Sequence, residues 1–360
     1  MLISIIIPVR NEELFIENCI QSVLGFELPE NILTEIIILD GMSNDKTVEI
    51  LKTRFNRENI KIMQNPGKIQ STALNMGIHI SNGEYILRLD AHAKYPKDYL
   101  KKLIETSKRI DADNIGGVWK TNPGGTNYGA QIVQAITTHK FGIGNSNFRV
   151  GHKEGAVDTV PFGFYKRSTF DKIGNFDERL VRAQDYEFNR RIIKTGGIIW
   201  QNPKIIIDYY NQKFFNKFLK KQFLLEGPYN AYMWYLAPYT FSYRHLITPI
   251  FTAGIIFGLI LSSVNYLLAY IYLSVLILYL LLALISGVQQ AFRYRKFSFV
   301  FTLPFSFFLF HFIYGLGTLL GIIRLITKTS PIFKISEPWE GSNIKRAIEF
   351  SYLSNIKGIK

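Results

Sequence analysis

This 360-residue chain has a single cysteine, no glycine-rich nucleotide motif and long stretches without charge. Its single cysteine, Cys19, excludes an internal disulfide and suits a reducing compartment. No Gly-x-Gly-x-x-Gly or Walker sequence is present, which argues against bound NAD or ATP. The N-terminus has no basic stretch followed by a long apolar core. We therefore predict no signal peptide and a front domain that stays in the cytoplasm.

Charged residues are absent from Leu246 to Phe292 and again from Phe297 to Ile323. As a single helix, the first run would be roughly 70 Å long, more than twice the thickness of a bilayer core of about 30 Å. It must therefore turn back on itself. We predict spans at about 246–264 and 266–288, with the turn at Ser262–Asn265.

The net charge of +14 follows the expected membrane boundary, which makes nucleic acid a poor explanation for it. Lysines alternate with aromatic residues in 211–245, predicting an amphipathic segment on anionic membrane lipids. Arg293, Arg295 and Lys296 lie after the second span and mark a cytoplasmic loop.

The segment 297–323 leaves two alternatives open. If it crosses the membrane, the basic tail 326–360 lies outside, against the positive-inside rule. If it is re-entrant or interfacial, as Pro304 and three glycines allow, the tail stays in the cytoplasm. We favour the cytoplasmic tail, with a membrane region at 246–325.

Residues 1–210 predict an α/β domain with a mainly parallel sheet, because strand and helix patterns alternate. The predicted strands are Ile3–Val9, Glu35–Leu39, Ile60–Met63 and Tyr85–Leu89, and the predicted helices are Asn11–Val23, Thr47–Phe55 and Gln70–Ile80.

Polar residues follow each of these strands, at the edge where open α/β sheets bind ligands. After the fourth strand, Asp90 and His92 can reach one divalent cation, Mn²⁺ or less well Mg²⁺, bridging to a diphosphate. Asp40 can accept a hydrogen bond from a ribose or base, and Lys68 can meet phosphate. Each group alone is compatible with an ordinary turn, but four at one edge predict a binding crevice.

Three segments, Ser4–Glu12, Asp40–Thr47 and Asn65–Asn75, resemble the family 2 glycosyltransferases with the GT-A fold. With Arg88–His92, they are most similar to membrane-bound exopolysaccharide transferases of the succinoglycan type. The resemblance implies a metal, Mn²⁺ or Mg²⁺, at Asp90 and His92, with His92 standing where many members have a second Asp. It also implies a nucleotide-sugar donor held by Pro8, Arg10, Asn11, Glu12, Asp40, Lys68, Arg88, Asp90 and Ala91.

The same resemblance places the catalytic base at Asp185, where the family carries a Glu-Asp pair and this chain has Gln184 before the Asp. An inverting transfer needs a carboxylate that takes a proton from the acceptor hydroxyl. The alternative is a carboxylate that only stabilises a helix N-terminus. We expect Gly155–Phe164 to form an acceptor wall. Arg190 and Arg191 are either diphosphate ligands or surface charges.

These features and the family resemblance together predict an inverting glycosyltransferase that moves a sugar from a nucleotide-diphosphate donor, a UDP-sugar, to a lipid-linked saccharide in exopolysaccharide or cell-envelope glycan synthesis. It is expected in a bacterial inner membrane, as a multi-pass protein. Three alternatives remain: a polyprenyl-phosphate sugar synthase, a processive polysaccharide synthase and a non-catalytic membrane scaffold. A processive synthase is expected to carry a Gln-x-x-Arg-Trp motif, and Gln222–Gly227 lacks the Arg-Trp pair of that motif.

Overall fold

The computed structural model describes residues 1–151 and 153–333, so most of the predicted basic tail, 334–360, lies outside the described residues. The strands are β1 (Leu2–Val9), β2 (Leu33–Asp40), β3 (Ile60–Gln64), β4 (Tyr85–Arg88), β5 (Ala93–Lys94), β6 (Asn114–Asn122), β7 (Gly155–Ala156), β8 (Phe164–Lys166) and β9 (Ile199–Tyr210). The helices of the same part are α1 (Ile16–Leu24), α2 (Thr47–Arg54), α3 (Gln70–Ile80), α4 (Tyr99–Arg109), α5 (Tyr128–Thr137), α6 (Lys140–Ile143), α7 (Asn147–Val150), α8 (Arg167–Ile173) and α9 (Gln184–Lys194).

The strands form one sheet in the order β3-β2-β1-β4-β8-β6-β9-β5, with β7 paired to β9. The first four are parallel, as predicted. The whole sheet is mixed, because the short β8 lies antiparallel between β4 and β6, and β5 and β7 run antiparallel to β9. Strands β6 and β9, the two longest, pair in parallel, and every antiparallel pairing is shorter than every parallel one. The expected α/β fold with a mainly parallel sheet is therefore confirmed.

Strand β1 is apolar on both faces because each face meets a separate layer of helices. Ile5 and Ile7 pack with Cys19 of α1 in one cluster, while Ile6 packs with Leu74 of α3 in another. A continuous apolar run is typical of such a doubly covered strand.

Helix α1 begins at Ile16, five residues later than its predicted start at Asn11. Asn11 has a positive φ of 56°, which a right-handed helix does not allow. The carbonyl of Glu12 then accepts hydrogen bonds from the backbone N–H groups of Phe15 and Ile16, which closes a turn before the helix.

The C-terminal part contains α10 (Phe215–Lys221), α11 (Gly227–Leu236), α12 (Tyr243–Ser262), α13 (Tyr266–Tyr294) and α14 (Phe299–Ile326), with a π-helical turn, Gln222–Glu226, between α10 and α11. By length and composition, three helices of the described chain are apolar enough to span a bilayer. Helices α12 and α13 form an antiparallel hairpin, and its tip falls at the predicted turn. At this tip Val264 is 80% exposed.

Helix α14 lies along the front domain instead of projecting from it. Near its start Phe299 shares an apolar cluster with Ile132 of α5, and near its end Leu325 packs in the cluster that contains Leu180. Between them Gly317 approaches the π-helical turn so closely that a Cβ would lie 2.6 Å from a backbone oxygen. Both ends of α14 therefore lie against the front domain, and its middle part also contacts α12 and α13.

The predicted amphipathic segment, 211–245, divides into two parts. In α10, Phe218 is buried while Lys217 and Lys220 are exposed, as an interfacial helix requires. Helix α11 is instead almost entirely buried, between the front domain and α14. Only α10 and its flanks present the expected cationic face.

Candidate active site

The first four strands end at one edge of the sheet, where they bring the predicted site residues together. Val9 and Asp40, at the ends of β1 and β2, are paired. Strand β4 ends at Arg88 beside β1, so Asp90 and His92 follow at the same edge. Parallel strands bind ligands at this edge, and the register places the predicted crevice there.

The turn that carries Asp90 and His92 is held by a buried tyrosine. The backbone N–H of Asp90 donates to the hydroxyl of Tyr95 at 2.8 Å, and this hydroxyl donates to the Asp90 carbonyl at 3.0 Å. Burial raises the pKa of Tyr95 well above its usual value, so the hydroxyl remains a donor. Cys19 packs beneath, with Sγ 3.7 Å from the same carbonyl. The turn is thus fixed by neutral, buried groups.

A single buried guanidinium joins the two predicted acids of the site. Arg88 donates to Asp90 Oδ1 at 3.1 Å and to Asp185 Oδ2 at 3.3 Å. Burial would raise the pKa of Asp90, but the charges of Arg88 and His92 outweigh it and hold that pKa below its usual value. Arg88 was predicted to bind the donor. Its contacts show that both terminal nitrogens hold the two carboxylates.

Two glutamines form a second link between the same acids. Gln70, at the start of α3, donates to Asp90 Oδ1 at 2.8 Å. Its own Oε1 accepts from Gln184 at 2.6 Å, and Gln184 directly precedes Asp185 at the start of α9. Gln184 replaces the family's first acid, and here its amide completes a buried chain of hydrogen bonds.

His92 lies between two carboxylates. Its Nδ1 is 3.4 Å from Glu12 Oε1. Burial lowers the pKa of His92, but the hydrogen bond with Glu12 and the charges of Asp90 and Glu12 outweigh this, so the pKa is raised. In the described chain no three His, Cys, Asp or Glu side chains gather as a metal cage.

Asp90 and His92 nevertheless suit a divalent cation as a pair of ligands. The Asp90 carboxylate is ionised, its hydrogen bonds from protein converge on Oδ1, and the imidazole adjoins it in the same turn. Carboxylate and imidazole together are acceptable to Mn²⁺. With two protein ligands, the remaining positions would fall to substrate phosphate and water.

One cavity of about 1560 Å³ contains most of the predicted site. The predicted residues that line it are Pro8, Arg10, Glu12, Lys68, Arg88, Asp90, Ala91, His92 and Asp185. Thr159–Phe162, from the predicted acceptor wall, line it as well.

Asn11 and Asp40 do not line this cavity. The side chain of Asn11 accepts from the backbone N–H of Asn44 at 2.9 Å. Asp40 is only 2% exposed, and its carboxylate accepts from the backbone N–H of Ser43 at 3.1 Å. These two side chains therefore shape the loop after β2, whose Gly41 does line the cavity.

Asp185 opens α9 and faces the cavity with a side chain that is 37% exposed. Two residues on, Glu187 is fully buried and pairs with Arg191 at 2.6 Å, and Tyr239 donates to it as well. Arg191 also donates to two backbone carbonyls. It is thus neither of the predicted alternatives, a diphosphate ligand or a surface charge, because its partners lie inside the domain.

The same cavity continues from Asp185 to the C-terminal helices. Its far end is lined by Thr248 and Phe251 of α12, Tyr279 of α13, and Tyr314 of α14. Asn230 of α11 also lines this cavity. It is 5% exposed, and its Nδ2 has no hydrogen-bond partner within the described residues.

Several lining residues were missed by sequence reasoning. They are Gln70, Arg149, Arg182 and Asn230. Gln70 lies inside a segment that carries the family resemblance. The others are brought to the cavity only by the tertiary fold, and no local pattern marks them.

Comparisons with known proteins agree with this geometry. The sequence profile of glycosyl transferase family 2 matches residues 4–174. A curated relative from Methanococcus voltae, a dolichyl N-acetyl-alpha-D-glucosaminyl phosphate 3-beta-D-2,3-diacetamido-2,3-dideoxy-beta-D-glucuronosyltransferase, is 31% identical over 340 residues, which cover 89% of this chain and 97% of the relative. The chain belongs to glycosyltransferase family 2. The expected family and enzyme class are thereby confirmed.

Two further comparisons refine the placement of this family 2 glycosyltransferase. The succinoglycan biosynthesis protein ExoA of Rhizobium meliloti is 29% identical over 213 residues, which cover 57% of this chain and 62% of ExoA. Among solved structures, a mannosyltransferase from Pyrobaculum calidifontis in complex with GDP-Man and Mn²⁺ has a TM-score of 0.56 at 15% identity, covering 86% of this chain and 85% of that one. This likeness concerns the fold, and the expected GT-A architecture is confirmed.

Proposed function

We propose that this family 2 glycosyltransferase is an inverting enzyme that moves a sugar from a nucleotide-diphosphate donor, UDP-linked, to a lipid-linked saccharide. The observation that carries the proposal is the single cavity that joins Asp90, His92 and Asp185 to the apolar helices α12 to α14. A water-soluble donor and a lipid-borne acceptor need such a cavity. One end must be polar for the diphosphate, and the other must open towards lipid.

The relatives support this choice of substrates. The Methanococcus voltae relative is named for a dolichyl-phosphate-linked sugar as its acceptor, and ExoA for exopolysaccharide synthesis. The mannosyltransferase with the similar fold was solved with a nucleotide sugar and Mn²⁺. A cell-envelope or exopolysaccharide glycan, built on a lipid carrier at a bacterial inner membrane, is the product class that we propose.

The donor lies, in this proposal, along the strand edge. Pro8, Arg10, Glu12, Lys68 and Ala91 form its wall. Asn11 and Asp40 act through the loop that they hold. Asp90 and His92 would bind a divalent cation, Mn²⁺ or Mg²⁺, which supplies positive charge against the leaving diphosphate.

Asp185 then acts as the general base. It takes the proton of the acceptor hydroxyl, whose oxygen bonds to the anomeric carbon of the donor. The bond from that carbon to the diphosphate breaks, and its electron pair stays on the phosphate oxygen. Arg88 and the backbone N–H of Tyr186 each donate one hydrogen bond to Asp185, which orients the carboxylate towards the cavity. Attack opposite the leaving group inverts the anomeric configuration.

The membrane arrangement follows from the contacts of the C-terminal helices. We propose that the α12–α13 hairpin crosses the bilayer while α14 lies at its cytoplasmic surface. The loop after α13 supports this, because Lys296 donates to Gln131 and Arg293 donates to the Thr138 carbonyl, both in the front domain. The exposed lysines of α10 would then face anionic headgroups.

A transfer assay tests the proposal. Membranes containing the full chain are incubated with UDP- and GDP-sugars and Mn²⁺, with either a lipid-linked saccharide extract or bare polyprenyl phosphate as acceptor. We expect nucleotide release and a glycolipid product only with the saccharide extract, and neither with Asp185→Asn. Transfer to bare polyprenyl phosphate would identify a polyprenyl-phosphate sugar synthase instead. No release above the Asp185→Asn control for any donor would contradict an enzymatic role.

A further inference from the structure

Arg149 lies in α7 at the wall of the cavity, in contact with a group of aromatic rings. Its guanidinium carbon is 4.3 Å from the ring centre of Trp119 and 5.8 Å from that of Tyr209. Those two rings stack on each other at 3.7 Å, and all three side chains line the cavity. Contact with a ring occupies the face of a guanidinium and leaves its N–H groups, which lie in the plane, free to donate.

No carboxylate or hydrogen-bond acceptor meets this guanidinium within residues 1–151 and 153–333. The other enclosed arginines differ, because Arg88 and Arg191 are each paired with Asp or Glu and have raised pKa values. Burial lowers the pKa of Arg149, and its interactions with Tyr209, Glu226 and Asp185 do not reverse this. Arg149 is half-buried, and a cation that is partly removed from water without a counterion is stabilised when an anion binds to it.

The neighbours of Arg149 indicate which anion fits. The ring of Tyr209 lies 5.7 Å from the ring of His92. The pairing of β5 with β9 fixes this contact, since Ala93, the residue after His92, is paired with Tyr209. Arg149 and His92 therefore flank one tyrosine on the same cavity wall. A phosphate group bound at Asp90 and His92 would therefore lie one aromatic side chain away from Arg149, in the same cavity.

We propose that Arg149 binds the diphosphate of the nucleotide-sugar donor and stabilises the charge left on it when the sugar departs. The inference rests on the proposed function and extends it by a catalytic residue. In the transfer, the anomeric carbon–oxygen bond to the diphosphate breaks and leaves its electron pair there. The acceptor oxygen forms the new bond, and its proton passes to Asp185. Arg149 donates hydrogen bonds to the phosphate oxygens throughout and keeps its own protons.

The test measures nucleotide binding to the full chain in detergent, with Mn²⁺ and with UDP and GDP as probes. Arg149→Gln should raise the Kd of the better nucleoside diphosphate by roughly ten- to a hundredfold, the usual worth of hydrogen bonds to a charged group. The Kd of the matching nucleoside, uridine or guanosine, should change less than twofold, because it has no phosphate. Arg149→Lys keeps the charge and should recover part of the affinity. The matched control is Arg57→Gln, which removes an exposed arginine remote from the cavity and should bind as the unaltered chain does.

Three results would overturn the inference. Unchanged diphosphate affinity with a raised KM for the lipid acceptor would assign Arg149 to the acceptor's phosphate. If Arg149→Gln has both an unchanged affinity for the nucleoside diphosphate and an unchanged rate of transfer, Arg149 has no role in binding. If Arg149→Gln does not fold, Arg149→Lys decides, and full affinity in that variant refutes a role for the guanidinium. The proposed function fails separately, when the unaltered chain binds neither UDP nor GDP.

Discussion

Replacing Asp185 by Asn should abolish transfer while leaving the fold and donor binding intact. Asn keeps the size of the side chain and an oxygen for Arg88, but it cannot take a proton. Loss of a general base lowers the rate by roughly 10²–10⁴, or about 3–5 kcal/mol in the barrier. Asp185 is 37% exposed, so solvent screens its ion pair with Arg88 and the pair contributes no more than about 1 kcal/mol to stability.

Glu187→Gln is the matched control, because it makes the same chemical change two residues further along α9. Glu187 and Arg191 are both 0% exposed and pair at 2.6 Å. Removing the carboxylate leaves a buried guanidinium without its counterion, which costs about 3–5 kcal/mol of folding free energy. The two substitutions should therefore have energetic effects of similar size on two different measured properties. Asp185→Asn should raise the activation barrier of the transfer, whereas Glu187→Gln should lower the free energy of unfolding.

The assay combines three measurements on purified full-length chain. Calorimetry with UDP or GDP reports donor binding, thermal unfolding reports stability, and NMR of the new linkage reports the anomeric configuration. Near-normal turnover in Asp185→Asn, or a product with retained configuration, would refute the base. If Glu187→Gln were inactive at unchanged stability, the base would lie two residues later than the family motif indicates.

Three further predictions concern the metal, the glutamine pair and the topology. His92→Ala should weaken Mn²⁺-dependent nucleotide binding without unfolding the domain, and calorimetry that gives the same affinity with and without chelator would remove the metal role. Gln184→Glu should restore the family's acid yet destabilise the chain by about 1–3 kcal/mol in thermal unfolding. To donate to the new carboxylate, Gln70 must rotate its amide, and its oxygen then faces the carboxylate of Asp90, where no hydrogen bond can form. An unchanged unfolding temperature would contradict this. In a Cys19→Ser background, Val264→Cys should react with an impermeant thiol reagent from outside, whereas Arg295→Cys and Lys328→Cys should need permeabilised cells; external labelling at 328 would show that α14 crosses.

The first half of the domain follows from local sequence signals. Apolar runs predicted β1 to β4 within two residues at each end, and Gln70–Ile80 forms a helix with the predicted bounds. For β1 the signal is sufficient because the strand is buried on both faces by neighbouring helices, whereas the edge strand β3 was recognised although most of it is exposed. The start of α1 was misplaced, since the positive φ of Asn11 has no signature in the hydrophobic pattern.

The site was predicted less completely, because burial and pairing are tertiary properties. Asp90, His92 and Asp185 line the cavity as expected, but Arg88 holds two of these acids through both terminal nitrogens. Arg191 was expected to lie at the surface or to bind a diphosphate. No feature of the sequence indicates that it is buried in an ion pair with Glu187. Arg149 reaches the cavity only because the segment around α7 folds back over β6.

In the proposed arrangement, the position of α14 also sets how far Asp185, the proposed base, lies from the bilayer. The helix is fastened to the front domain near both ends, and its opposite side, with Phe301 and Ile326 exposed, is available to lipid. If α14 stays at the bilayer surface, these contacts hold the domain at a fixed height above it. In the proposed reaction, an acceptor hydroxyl must stand at the height of Asp185 above the carrier's phosphate. We therefore predict that the number of sugars on the carrier decides recognition. A product that is one sugar longer would place its hydroxyl away from Asp185, and each carrier would receive a single sugar.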